Sequence, residues 1–157
     1  MNPTPLREAF RTLLEAAATD AAATDAFPAP PDGEWDADQI LAHVVLVNAA
    51  TIGVVAAVAS GAVTTYDNRL AQDRWTIARV VGLGGLRDRV RAQGEALCAL
   101  GPTLTDRELD TTMPALLLSN GTALVDQPLR LRDILSGLAE VELPGHTRQL
   151  LALRAMV

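Results

Sequence analysis

From Ile40 to Ser60 the chain is almost continuously apolar, over about the length of the roughly 20 residues that cross a bilayer. A run of this kind admits two outcomes, a membrane span or the central helix of a packed bundle. The polar residues within and before it favour the second. His43, Asn48 and Thr51 interrupt the run, Asp36 and Asp38 stand at its start, no arginine flanks it closely, and few aromatic residues are present to form an interfacial belt. A helix apolar on most faces then belongs at the centre of a bundle, with part of its surface packed against a second subunit. The expectation is a protein without a membrane span that forms a homodimer.

Composition agrees with helices. The 157 residues suit one domain, 1–157, and 49% of them are hydrophobic while only 3% are aromatic. A core of Ala, Val and Leu favours tightly packed helices over an aromatic-rich sandwich. A net charge of −6, with no basic face, argues against a nucleic-acid partner. All 13 cationic side chains are arginine, a bias expected of a GC-rich genome. A lone Cys98 excludes an internal disulfide and a zinc ribbon, and no basic segment followed by an apolar run opens the chain, so a reducing cytoplasm is the expected location.

Thr4 and Pro5 read as the cap and first residue of helix one, with Leu6, Phe10, Leu13, Leu14 and Ala17 at helical spacing and an end near Ala23. The prolines of Phe27-Pro28-Ala29-Pro30-Pro31-Asp32-Gly33 force a loop. Asp36 and Gln39 form a capping box for helix two, whose core stripe is Ile40, His43, Val44, Val47, Thr51, Val54 and Val55. A third helical region spans about Arg69 to Leu100, with Trp75 among its packing anchors and a break or kink at Gly82, Gly84 and Gly85. No strand precedes those glycines and no Lys-Ser/Thr follows, so they are a hinge and not a phosphate loop. Ala115–Leu118 and Thr122–Val125 flank Asn120-Gly121, a pair suited to a type I′ turn, and predict a β-hairpin. From Pro128 the helical period returns through Leu131, Leu135, Leu138, Leu150 and Leu153 as helix four. The expected fold is all-α, a four-helix bundle with a small β-hairpin before the last helix.

The chemistry lies where that last stripe is broken. Glu142 and His146 are four residues apart, on one helix face and in register with inward positions, and His43 interrupts helix two in the same way. A carboxylate facing a core requires a cation, and the chain has no lysine. Two imidazoles and a carboxylate are a ligand set for Zn²⁺, Ni²⁺ or another divalent first-row ion, with a position left open for water or substrate. The plainer reading makes both histidines satisfied core residues and pairs Glu142 with Arg148 or Arg132. Cys98, amid Leu97 and Leu100 and without an adjacent cation, reads as a small buried hydrophobe.

The Trp35-Asp36-Ala37-Asp38-Gln39-Ile40-Leu41-Ala42-His43-Val44 segment, the later Glu142-x-x-x-His146 followed by Gln149-Leu150, and the order of elements together resemble the DinB/YfiT-like superfamily. The closest likeness is to the metal-binding domain of mycothiol-dependent maleylpyruvate isomerases. This resemblance covers nearly the whole chain and implies an up-down-down-up bundle. It implies a divalent metal, zinc by preference, at His43, Glu142 and His146. It further implies thiol-dependent S-transfer or isomerisation of a small electrophile, with mycothiol or bacillithiol as cosubstrate. An arginine-only composition of actinobacterial type agrees with mycothiol.

Two departures qualify the resemblance. Pro144 cannot donate to the Glu140 carbonyl and is expected to kink helix four, letting Glu142 and His146 diverge. The further C-terminal domain of the isomerases, with its catalytic arginine, has no counterpart up to Val157, so maleylpyruvate isomerisation itself is not expected. The rival expectations are a non-catalytic dimeric scaffold with merely packed histidines, and a secondary-metabolism enzyme that uses the bundle cavity without a thiol.

Overall fold

A computed structural model describes residues 1–18 and 27–156. The chain is mostly α-helical with a small β layer. Helix α1 (Thr4–Ala17) buries Leu6, Phe10, Leu13, Ala16 and Ala17 on one face. Its cap is Pro3 and not Thr4; Thr4 is the first helical residue and its amide donates to Asn2 Oδ1. The helix stops at Ala17, because Ala18 turns to extended backbone, and the remainder of the expected extension to Ala23 lies outside the described residues.

Helix α2 (Ala37–Ala59) begins with the expected capping box: Asp36 Oδ1 accepts from the Gln39 amide and Gln39 Oε1 from the Asp36 amide. All seven residues of its stripe are buried. It is long and apolar enough to cross a membrane, yet 61% of its most apolar window is buried within the protein. Two of its polar side chains donate inside, Asn48 to Gln93 and the Thr51 hydroxyl to the Val47 carbonyl, while Asn48 Oδ1 is buried without a partner among the described residues.

The expected third helical region is three helices. A single turn, α3 (Arg69–Gln72), ends at Asp73, whose carboxylate then accepts from the Thr76 amide and caps α4 (Arg74–Leu83). The glycines produce a full break: Gly84 and Gly85 both take positive φ before α5 (Leu86–Leu100). Trp75 is 72% exposed and so is not the expected packing anchor; Arg79 lies over its ring, 5.8 Å from the centroid. α2 packs along α5 and α4, and α1 packs along α5 and the C-terminal helix. At the α1–α5 crossing a Cβ on Gly94 would lie 2.8 Å from Phe10 Cγ, so glycine is what permits this approach.

A 3-10 turn (Gly101–Thr103) and α6 (Asp106–Leu109) lead into the β layer. Strands β3 (Ala115–Ser119) and β4 (Thr122–Asp126) form the expected hairpin, with Asn120 and Gly121 at φ 49° and 76° as a type I′ turn requires. Three short strands were not foreseen. β1 (Tyr66–Asp67) pairs in parallel with β3, and β2 (Thr112–Met113) pairs antiparallel with β5 (Leu129–Arg130). Asn68 ties this layer to the helices, since its side-chain amide exchanges two hydrogen bonds with the Leu118 backbone, at 2.7 and 3.0 Å.

The last helical stretch comprises α7 (Leu131–Gly137), a π turn (Leu138–Glu142) and α8 (Leu143–Arg154). Pro144 is accommodated without a restart. Since it offers no N–H to the Glu140 carbonyl, the ladder widens just before it, and the Leu143 amide donates to the Leu138 carbonyl five residues back.

Candidate metal centre

His43, Glu142 and His146 converge. Each offers a ligand atom, and these atoms lie within 4.8 Å of one another. Glu142 Oε1 is 2.7 Å from His43 Nε2 and 3.1 Å from His146 Nε2, and the two imidazole rings are 4.6 Å apart between centroids. The expected divergence of Glu142 and His146 does not occur, because the π turn absorbs the proline upstream of both the α8 turn and His146.

The far side of each ring fixes its chemistry. His43 Nδ1 is 2.7 Å from the Ala71 carbonyl, which can only accept, so Nδ1 carries a hydrogen. This carbonyl is free because α3 is one turn long and ends at the next residue. His146 Nδ1 likewise donates to Gln149 Oε1 at 2.7 Å. In the neutral form, each Nε2 therefore presents a lone pair, and both lone pairs face one carboxylate oxygen. Three acceptors at such distances repel unless a cation lies among them, either protons on the rings or a metal ion. Fixing Nδ1–H with a carbonyl or amide oxygen is also how metal-binding histidines are oriented.

The donor set and spacing fit a small divalent ion. Zn–N and Zn–O bonds of about 2.0–2.1 Å at tetrahedral angles separate neighbouring ligand atoms by about 3.3 Å. The two Nε2–Oε1 distances, 2.7 and 3.1 Å, are shorter than this and all three ligand atoms lie within 4.8 Å of one another, so admitting the ion requires these pairs to open and the side chains to settle around it. Burial works to raise the Glu142 carboxyl, but His146 and His43, which donate to it through Nε2 when protons lie on the rings, outweigh burial and hold the group well below the usual carboxylate range. Glu142 is thus an anion at neutral pH. The plainer pairing is not formed: Arg132 is engaged by Asp110 and Asp106, and Glu142 is bonded to the two histidines.

The cluster lies on the wall of a cavity of about 830 Å³, within the range of roughly 300–1,000 Å³ typical of small-molecule sites. Helices supply Ile40, Val47, Ile134 and Leu138, and the hairpin closes one side with Leu117, Leu118, Leu124 and Val125. Trp35 packs its ring 5.0 Å from that of His43 and also lines the cavity.

Sequence reasoning did not single out Tyr66. This buried phenol lines the cavity, and its hydroxyl is 3.4 Å from Thr51 Oγ1, whose own hydrogen goes to Val47. Burial, helped by the Glu142 charge and partly opposed by Thr51, pushes the phenol above its ordinary pKa, so it remains a donor. The orienting groups Ala71 and Gln149 were also unassigned. A backbone carbonyl leaves no mark in a sequence, whereas Gln149, three residues after His146, follows helical spacing. Cys98 is half-buried and burial pushes its thiol up, with Arg7 opposing, so a cation does lie near it.

Comparison with protein-family models, curated proteins and solved structures gives no match for this chain. The reading of the site accordingly rests on its geometry.

Proposed function

We propose that the protein is a metal-dependent enzyme of the DinB/YfiT-like, up-down-down-up four-helix-bundle type. In this reading His43, Glu142 and His146 hold a divalent ion, zinc by preference, and a low-molecular-weight thiol, mycothiol, is the cosubstrate for S-transfer or isomerisation of a small electrophile. The observation that supports it is the convergence of two imidazole lone pairs and one carboxylate oxygen on a cavity wall, with both Nδ1 positions already tied. A bound divalent ion supplies Lewis acidity there and lowers the pKa of a thiol at its open position.

The chain's own groups have separate tasks. Ala71 and Gln149 hold the imidazoles in the ligating tautomer, and Glu142 contributes one negative charge. The aliphatic walls exclude water, and the Tyr66 phenol, whose hydroxyl donates to Thr51 Oγ1, completes the lining beside them. A homodimer in a reducing cytoplasm belongs to the same proposal. Leu70, Trp75 and Leu83, all exposed, support the pairing of two copies, and sedimentation velocity tests it.

The decisive experiment is metal analysis of the purified protein, followed by Zn²⁺ and Ni²⁺ uptake by wild type, His43→Ala and His146→Ala. Native metal, or uptake lost in both variants, is expected. A metal-free protein with no histidine-dependent uptake leaves the scaffold reading. If metal binds, conjugation of an electrophile with mycothiol and with bacillithiol tests the thiol, and inactivity with both rejects the thiol-dependent chemistry.

A further inference from the structure

The cavity carries a charge pattern that narrows its ligand. The chain's cations apart from histidine and the N-terminus are 13 arginines, yet none lines the cavity. The residues outside the described set, 19–26 and 157, include no arginine either, so none of them can supply one. Three carboxylates do line it: Glu34, Asp133 and Glu142. Asp133 is neutralised by Arg130, which binds it through two hydrogen bonds of 2.8 and 3.0 Å and is not itself on the wall. The nitrogens of His43 and His146 are already engaged, both Nε2 atoms by Glu142 and the two Nδ1 atoms by Ala71 and Gln149.

A ligand anion inside this cavity would therefore lose its hydration and meet no free cation, apart from whatever ion the His-Glu-His cluster holds. Moving a charge into such surroundings without a partner is strongly unfavourable. Most of the remaining wall is aliphatic, and its other polar side chains, among them Gln72, Ser119, Asn120 and Gln149, are neutral. We infer that the cavity selects an uncharged, largely apolar small molecule and rejects carboxylates, sulfonates and phosphates. This deepens the proposed reading of the cavity as a substrate site. An electrophile bearing acid groups, and a thiol whose body carries carboxylates, both fit the walls poorly; the single anionic position is at the metal centre.

The test uses two fluorescent probes that differ by one sulfonate, N-phenyl-1-naphthylamine and 1-anilinonaphthalene-8-sulfonate, titrated at pH 7 with EDTA present. Under these conditions only the protein walls are read, so failure of the metal proposal leaves the measurement intact. Wild type is expected to bind the uncharged probe at least about tenfold more tightly. Leu124→Arg places a cation at an exposed position of the lining and should narrow that ratio by about fivefold or more, while Leu124→Gln leaves it unchanged. Equal or tighter binding of the sulfonate to wild type would overturn the inference. So would a ratio that Leu124→Arg does not move, or that Leu124→Gln moves equally.

Discussion

Zinc should raise the melting temperature of this protein by an amount that can be worked out in advance. A ligand that binds only the folded state, at 100 times its Kd, stabilises by about 2.7 kcal/mol. For 157 residues the unfolding entropy near the transition is about 0.33 kcal/mol/K, so the shift is about 8 °C. The three ligand atoms already lie within 4.8 Å of one another, so adjustment of these side chains is what realises it. Glu142→Gln retains the side chain's size but removes the anion, and leaves two neutral imidazoles as ligands. If that weakens binding about a hundredfold, the same zinc concentration only equals the Kd, and the stabilisation falls to about 0.4 kcal/mol, or about 1 °C. The assay is differential scanning fluorimetry of wild type, Glu142→Gln and His146→Ala, each chelated and then titrated with zinc, with Kd from competition against a chromophoric chelator. A full shift that survives in both variants places the ion elsewhere. No shift in wild type up to millimolar zinc refutes the reasoning from converging acceptors.

Further outcomes follow from other contacts. Because the folded-state pKa of Glu142 lies below its ordinary 4.5, its contribution to stability is complete above about pH 4.5 and is lost as pH falls below that; urea unfolding between pH 6 and pH 3 with EDTA present should show the loss, and Glu142→Gln should flatten it. Gly94→Ala gains about 1 kcal/mol of helix propensity but drives a methyl into the Phe10 ring, so it should destabilise by about 1–2 kcal/mol net, read as a lower urea midpoint with unchanged slope. Asn68→Ala removes both hydrogen bonds to Leu118 and should cost about 1–3 kcal/mol, with faster amide exchange confined to the hairpin. Pro144→Ala restores an amide that can reach the Glu140 carbonyl; it should leave the melting temperature of chelated protein unchanged or higher while weakening zinc binding at least about tenfold, and unaltered zinc affinity would show that the π turn does not set the site.

The features legible in the sequence are those fixed within a few residues. The Asp36–Gln39 box, the Asn120-Gly121 turn and the stripe of α2 each depend on local geometry, and each is present as expected. The candidate site was legible for a related reason: four-residue spacing put Glu142 and His146 on one face, and an inward carboxylate without a lysine demanded a partner. Where prediction failed, the deciding partner was distant or was backbone. The break at Asp73 shows only as a cap followed three residues later by Thr76, a pattern that fits a helix interior equally well. Strand β1 is two residues long and exists because the hairpin provides an edge, so no periodicity announces it. Trp75 was placed inside on hydrophobicity alone, although α4 buries Ile77 as its main contact.

Pro144 joins the fold to the site. A proline within a helix ordinarily removes one hydrogen bond and kinks the chain, at a cost of about 3 kcal/mol. Here the turn before it is wound five residues per hydrogen bond, which lodges an extra residue between Leu138 and Leu143. An added residue rotates everything downstream by about 100° relative to α7. Leu131, Ile134 and Leu135 of α7 and Leu143, Leu150 and Leu153 of α8 can therefore both face the core, although one uninterrupted 3.6 period does not connect them ideally. Glu142 sits at the end of the widened turn, between these two registers, and reaches His43 on α2 while keeping His146 one turn below. The departure from regular helix thus lies where the carboxylate does, so the widened turn that accommodates Pro144 also sets the direction of Glu142.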